Sequence, residues 1–301
     1  MALSTTPVDI NRGTTGVVLP KQLSQEVWQK AQEESAIMRL AQRIDLPGSG
    51  LVIPVITGDP VADFVAETAE KPVSEATLSS KNMKGYKIAV IELFSNEFRR
   101  DLPRVYEELV RRLPYSIGRK FDSTIFNGTA PGSDFDVLSG ASAISIAKTA
   151  QVSTYDKLVT VVSTIGAADA ELTGWVLAPQ GEALLLSTTD NTGRPLFIAD
   201  VADNRAIGRV LGSEVIRSRA AYSAGGTGKP NVIGFAGDWS QAHYGIVNDI
   251  TMSISEEATV NDGTNQINLW QRNMFAVRVE AELGFVVKNA NAFVKLTDAE
   301  E

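Results

Sequence analysis

Apolar residues recur at steps of four through Val105, Leu109, Leu113, Ile117, Phe121 and Ile125, with Tyr106 and Val110 widening the stripe. Over 101–127 that spacing predicts one long amphipathic helix. Asp101 is placed to cap it, Pro103 falls in the tolerated first turn, and Asn127–Gly128 ends it. Pro114 lies inside, where a missing N–H and crowding of the Val110 carbonyl predict a bend. Toward the C-terminus the period changes to two. Phe275, Val277, Val279, Ala281, Leu283, Phe285 and Val287 are apolar, and Arg278, Glu280 and Glu282 fall between them. Such alternation predicts a strand about 43 Å long at about 3.3 Å per residue, well beyond the usual five or six residues.

The rest of the chain is less regular. Residues 1–19 are rich in Thr, Gly and Val without a sustained period and read as an extended arm that needs a partner. Leu23, Val27, Ala31, Ala36, Ile37 and Leu40 predict a helix over about 21–41, ending before Leu46–Pro47–Gly48. LVIPVI (51–56) and YKIAVIELF (86–94) read as strands. Between them lies a polar connection of about thirty residues, far longer than compact domains use. Its first half is acidic (Asp59, Asp63, Glu67, Glu70, Glu75) and its second half carries Lys81, Lys84 and Lys87. It is either a solvated long hairpin or an arm that pairs charges with a neighbouring subunit. From about 133 to 250 short helices (155–165, 179–186) and strands (174–177 and several later ones) alternate with turn-rich segments, the pattern of a compact α/β insertion. Long helix, long strand and long hairpin enclose pockets poorly and span neighbours well.

Composition removes most chemistry. The 301 residues include no Cys and one His, His243, so thiolate metal sites, disulfides, a Cys nucleophile and multi-histidine clusters are excluded. A net charge of −8 argues against a generally basic nucleic-acid binder. No stretch approaches the roughly 18 apolar residues that span a bilayer, and the polar start has no signal-peptide pattern, so a soluble protein made in a cytoplasm is expected. GGTGKP at 225–230 lacks both the first glycine of a phosphate loop, where Ser223 stands, and the magnesium-holding hydroxyl, replaced by Pro230. Asn127–Gly128–Thr129 matches a glycosylation sequon but reads more simply as a helix stop. His243, among apolar neighbours, reads as a satisfied strand residue. Arg99, Arg100, Arg104, Arg111, Arg112, Arg119 and Lys120 crowd the long helix, but Glu107, Glu108 and Asp122 are interleaved. The two readings are a mixed solvated face and pairing with other subunits or enclosed nucleic acid.

The order of these parts resembles the HK97-like major capsid proteins of tailed bacteriophages across nearly the whole chain. The fragments that carry the likeness are LPKQLSQEVWQKAQEESAIMRLA, DFVAETAEKPVSEATLSSKNMKGYKIAVIELFSNEFRRD, FDSTIFNGTAPGSDFDVLSG, GWVLAPQGEALLLSTTDNTGRPLF and NMFAVRVEAELGFVVKNANAFVKL. The resemblance implies an α+β capsid fold. It would have an N-arm and first helix (1–50), an E-loop hairpin (51–94), a P-domain (95–132 and 250–301) with the spine helix and long strand, and an A-domain (133–249). It implies a structural protein without cofactor or metal that forms pentamers and hexamers of itself. These close into an icosahedral shell around double-stranded DNA held without sequence recognition, assembled in the host cytoplasm and mature in the virion. Scaffolding, portal and decoration proteins are implied partners, and a membrane is not. No long helical scaffolding segment precedes the arm, so scaffolding would come from a separate protein or be dispensable. An encapsulin-type compartment resembles the same fold and is the alternative.

A subset of the family resembles chemical chain mail, in which an E-loop lysine forms an isopeptide bond with an asparagine of another subunit, assisted by a glutamate. Lys71, before Pro72 in AEKPVSE, falls at the lysine's place, and Asn273 and Glu280 in NMFAVRVE match the other two in spacing. The chemistry needs a neutral amine, favoured by apolar surroundings, and Glu280 would take the proton. Seven residues apart on one strand, Asn273 and Glu280 would face opposite ways about 23 Å apart, so one chain would not present both to one lysine. The other reading is ordinary salt bridging by Lys71 and Glu280, with Asn273 capping a strand end.

Overall fold

The computed structural model describes residues 35–299, apart from 59, 66–69, 72, 76, 102, 150–151, 190–193, 195–196, 198–207, 227, 262 and 264. The described chain begins at Ser35, whose hydroxyl accepts from the Met38 N–H and caps the short helix α1, Ala36–Leu40. Ser35 is extended (φ −83°, ψ 119°), so a helix over 21–41 does not run through it unbroken. Its part before residue 35 and the arm at 1–19 lie outside the described residues.

Strand β1, Gln42–Asp45, follows, and then β2, Leu51–Gly58, and β3, Thr77–Met83. These last two form a two-stranded antiparallel ribbon. Residues 77–83 are thus a strand and not part of a polar connection, and 86–94 do not belong to the hairpin. Those residues instead begin β4, Tyr86–Ser95, which pairs with the long C-terminal strand. A short helix α2, Asn96–Asp101, leads into α3, Pro103–Asn127. Asp101 therefore closes α2, and its carboxylate accepts from Arg100 Nε at 2.8 Å. The 25-residue helix α3 stays helical across Pro114. At its end the Gly128 N–H bonds the Thr124 carbonyl at 3.0 Å, and a Cβ there would meet Thr124 Cα at 2.7 Å, so glycine is required.

Next come β5, Ser142–Ser145; α4, Thr154–Gly166; β6, Gly174–Leu177; α5, Pro179–Leu186; β7, Arg209–Val210; β8, Ser213–Arg217; and β9, Val232–Gly237. The chain finishes with β10, Ala242–Ser255; the small pair β11, Thr259–Asn261, and β12, Gln266–Asn268; β13, Met274–Val287; and β14, Phe293–Thr297. Two sheets dominate: four strands ordered β1-β10-β13-β4, and six ordered β5-β14-β9-β6-β8-β7. The C-terminal strand β14 thus completes the sheet of the α/β insertion, antiparallel to β9 and parallel to β5.

The predicted spacings match the packing. Leu113, Ile117, Phe121 and Ile125 of α3 and Val277, Val279, Leu283 and Phe285 of β13 are buried in one core, where Phe121 and Phe285 meet edge to face at 6.4 Å. The six-stranded sheet is buried on both faces. Trp175 and Leu177 point into a second core with Leu158, Val161 and Ile165 of α4, while Val176 and Phe235 join the first. Asp122, read as part of a solvated helix face, is instead fully buried. It accepts from the Ser35 hydroxyl at 2.5 Å and the Ala36 N–H at 2.8 Å, pinning α1 onto α3.

Candidate functional site

Two exposed features stand apart from this core. The first is the β2–β3 ribbon. At its base Ile53 and Met83 are buried with Leu46 and Val286, and Lys81 reaches Asp136 at 2.8 Å. Lys84 reaches Asp134 at 2.7 Å, and that hydrogen bond, then the carboxylate's charge, raise the ammonium above its ordinary pKa. Beyond the base the described residues of the ribbon form no core. Because β2 alternates, Val52, Pro54 and Ile56 share one face, and Ile56 sits opposite Leu78. Val52 is 60%, Ile56 65% and Leu78 72% exposed. At the tip the Val61 N–H donates to Ser74 Oγ at 2.7 Å, holding the two sides together, and Phe64 and Val73 stand almost wholly in solvent. Lys71 is exposed in the same tip.

The second feature lies where β13 begins. Trp270–Arg272 form a single 3-10 turn closed by Asn273, whose left-handed backbone (φ 53°, ψ 44°) is unusual for a residue other than glycine and is best tolerated by Asn and Asp. Strand pairing sets Met274 opposite Ser95 and so brings Asn273 against the start of α2. Asn96 Nδ2 donates to Asn273 Oδ1 at 3.0 Å, Asn273 Nδ2 donates to Glu97 Oε1 at 3.1 Å, and the Asn96 N–H donates to the Asn273 carbonyl at 3.0 Å. Asn273 is exposed, and Trp270 beside it leaves three-quarters of its surface in solvent.

Glu280 is placed elsewhere. It lies half-buried in the middle of β13, between Ala89 and Thr251 of the neighbouring strands, 3.6 Å from Arg278 Nη2. Asn273 precedes the strand, so the two do not share one strand as the spacing argument assumed. Glu280 stands six residues beyond the first strand residue, roughly 20 Å along it. Within this chain the carboxylate at Asn273 belongs to Glu97. The sequence held no sign of that contact, which joins residues 176 apart.

The other candidates resolve locally. His243 lies in β10 and is buried, but it is not satisfied: neither ring nitrogen has a hydrogen-bond partner. Burial first, and the charge of Lys288 second, push its pKa down. GGTGKP leads into strand β9 rather than a helix. A Cβ at Gly225 would fall 2.0 Å from the Lys229 carbonyl oxygen, so the glycine serves a tight turn. Asn127 spends its amide on the Ala220 carbonyl at 2.8 Å. Of the basic cluster, Arg99 lies on α2, 4.6 Å over the Phe275 ring and 3.5 Å from Glu256, whereas Arg119 and Lys120 are exposed on α3. Among the described residues no group of three or more His, Asp or Glu is placed to hold a metal ion, and no helix is long and apolar enough to cross a membrane.

The model of the phage capsid family matches residues 15–298. The chain is 30% identical over 301 residues to the probable major capsid protein of Mycobacterium phage L5, covering 95% of this chain and 90% of that one. Its fold is similar to a solved structure from Gordonia phage Cozz, with a TM-score of 0.71, 25% identity and 100% of both chains covered. It is also similar to the capsid of an empty GTA particle computed with C5 symmetry, with a TM-score of 0.66, 14% identity, and 88% of this chain and 90% of that one covered.

Proposed function

This chain belongs to the phage capsid family, and we propose that its copies close through pentamers and hexamers into an icosahedral shell around double-stranded DNA. It is a major capsid protein with an HK97-like fold. The observation that carries the assembly reading is the ribbon's unpartnered apolar face. Val52, Ile56 and Leu78 on the strands, with Phe64 and Val73 at the tip, are apolar, exposed and carried on an arm whose core, among the described residues, is at its base. Burying each is worth about 1.5–3 kcal/mol, and the surface able to bury them is that of a second copy of the chain. In this reading the ribbon is the E-loop, and β4, α3, β10 and β13 build the P-domain. The insertion closed by β14 is the A-domain. The net charge of −8 fits a wall that contains DNA without gripping it. An encapsulin-type compartment is not favoured, because the named relatives are phage proteins.

Electron microscopy of the purified chain tests this reading. Closed shells are expected from the parent, and folded, unassembled subunits from a Val52→Ser, Ile56→Ser, Leu78→Ser variant. Normal shells from that variant would refute the role given to the ribbon. DNA inside particles from infected cells would separate a genome container from an enzyme compartment.

A second element of the proposal is a covalent one. Lys71 on the arm tip and Asn273 beside β13 are both exposed on the single subunit, as groups that meet only in the assembly must be. An isopeptide link between them would appear as a ladder on denaturing gels of mature shells, lost in Lys71→Ala. A single monomer band from fully expanded parent shells would refute it.

A further inference from the structure

We propose that the solvent face of α3 over 112–123 lies against the enclosed DNA and meets its phosphates through Arg112, Arg119 and Lys120. The inference rests on the reading that the shell holds double-stranded DNA, and it adds which surface of the subunit faces that DNA.

Burial distinguishes a mixed solvated face from a charged contact. Over 109–127 the helix carries four cations, Arg111, Arg112, Arg119 and Lys120, and one acid, Asp122. That acid does not belong to the solvent face. It is buried, and its carboxylate is taken up by the Ser35 hydroxyl and the Ala36 N–H. At about 100° per residue, Arg112, Ser116, Arg119, Lys120 and Ser123 fall within about 100° of arc, opposite the stripe that enters the core. Arg112, Ser116, Arg119 and Lys120 are exposed, and Ser123 is half-buried. Both hydroxyls turn back onto the helix: Ser116 Oγ donates to the Leu113 carbonyl at 2.6 Å, and Ser123 Oγ to the Lys120 carbonyl at 3.0 Å. The charge this stretch of α3 presents to solvent is therefore positive.

What the face can bind follows from what it lacks. Contacts between proteins centre on apolar and aromatic anchors. Among the described residues no large apolar side chain between Ile91 and Val152 is exposed. The ribbon, with Val52, Ile56 and Leu78 outward, suits another copy of the chain, and this face does not. Cations without apolar anchors suit a polyanion, because interfaces with DNA are polar and positive. Arg112 and Lys120 stand about 12 Å apart along the helix axis. At about 3.4 Å per phosphate along one strand, that span covers about three phosphates. Such contacts go to the backbone and read no sequence. On a chain of net charge −8 they are sparse, and salt weakens each, so the wall touches the DNA without gripping it.

Cross-linking of DNA-filled particles from infected cells tests this placement. Formaldehyde joins a lysine amine to a nearby base, so after nuclease digestion the peptide holding Lys120 should carry a nucleotide mass. The same peptide from particles emptied of DNA should not. Adducts on other lysines with none on Lys120 would overturn the inference. A carbodiimide-induced bond between Lys120 and a carboxylate of a second copy would also overturn it, because the face would then be a subunit contact. The unassembled full-length chain gives a second measurement, with a short duplex of mixed sequence as the probe at low salt. Arg119→Gln combined with Lys120→Gln should lower the slope of log affinity against log salt by about 2, whatever the duplex sequence. Removing the same charge elsewhere, by Lys87→Gln with Lys148→Gln at two other exposed positions, should leave the slope near parental. Equal slopes in the parent and the Arg119→Gln, Lys120→Gln variant, or no duplex binding by the parent, would overturn the inference. Particles that hold no DNA would overturn the reading beneath it and leave the subunit's salt slope standing.

Discussion

The β10–β13 pair and the β2–β3 ribbon are both antiparallel, and they use their side chains in opposite ways. In the first, each strand is 14 residues long, and Val277, Val279, Ala281 and Leu283 turn inward under α3, while Arg278, Glu280 and Glu282 lie on the other face. In the second, Val52, Ile56 and Leu78 turn outward and leave most of their surface in solvent. An isolated two-stranded ribbon is marginally stable in water, and among the described residues the apolar anchorage of this one is at its base, at Ile53 and Met83, beside the ion pairs of Lys81 and Lys84. The first pair stabilises the subunit. The second holds apolar surface in reserve for the assembly, so perturbing the two regions should have separable consequences.

The sharpest separation comes from removing the arm. Gly58 and Thr77 pair directly across the ribbon, so residues 59–76 can be replaced by a two-residue Asn-Gly turn without disturbing the strands. The expected outcome is complete loss of closed shells in electron micrographs with the subunit melting temperature unchanged. A large fall in melting temperature would show that the tip belongs to the subunit core and would break the comparison.

The next pair of substitutions runs the contrast in one experiment. Trp239 is buried, donates Nε1–H to the Gly174 carbonyl at 3.0 Å, and packs edge to face on Phe293 at 5.2 Å. Trp239→Ala should cost about 3–5 kcal/mol of subunit stability by denaturant unfolding. Phe64→Ala, at a fully exposed ring, should cost the subunit nothing and lower shell yield. Equal stability losses in the two variants would remove the distinction between the regions.

The same contrast explains what the chain disclosed in advance. Helix α3 and strand β13 were legible because the surfaces that bury them lie in the same subunit, so local period and burial agree. Strand β3, TLSSKNM, was not, because its only large apolar residues are Leu78, turned outward, and Met83 at the base. Strand β1, QRID, is short and polar, and it is fixed only by parallel pairing with β10 two hundred residues later. The apolar spacing through Ser35 concealed a break whose partner is Asp122, 87 residues away. The Asn96–Asn273–Glu97 cluster exists only through the register of β4 on β13. The missed features are long-range pairings of ordinary polar residues, which leave no local period.

Asp122 gives a smaller test inside the core. Asp122→Ala leaves the Ser35 hydroxyl and the Ala36 N–H without their carboxylate in a buried site, so a loss of about 1–3 kcal/mol is expected. Shell assembly should survive in proportion to the folded fraction. An unchanged unfolding midpoint would mean that α1 is held by its apolar contacts alone.

The smallest expected effect is at His243, and its sign follows from burial. The imidazole lies at the seam of the four-stranded sheet, opposite Gln42 of β1 and Val286 of β13, with neither nitrogen hydrogen-bonded. Burial and then the Lys288 charge lower its pKa in the folded chain, whereas the unfolded chain keeps the ordinary value near about 6.5. Above that value both states hold a neutral ring, and its full contribution to stability is present. As pH falls below it, the unfolded chain binds a proton that the folded chain refuses, so stability declines until the folded pKa is passed. Replacing the ring by an apolar group, His243→Leu, should flatten the decline in melting temperature between about pH 7 and pH 5 relative to the parent. Because the site is in the sheet and not in the arm, subunits and shells should show the same flattening. An identical pH slope in parent and variant would show that the buried ring takes up its proton without cost to the fold.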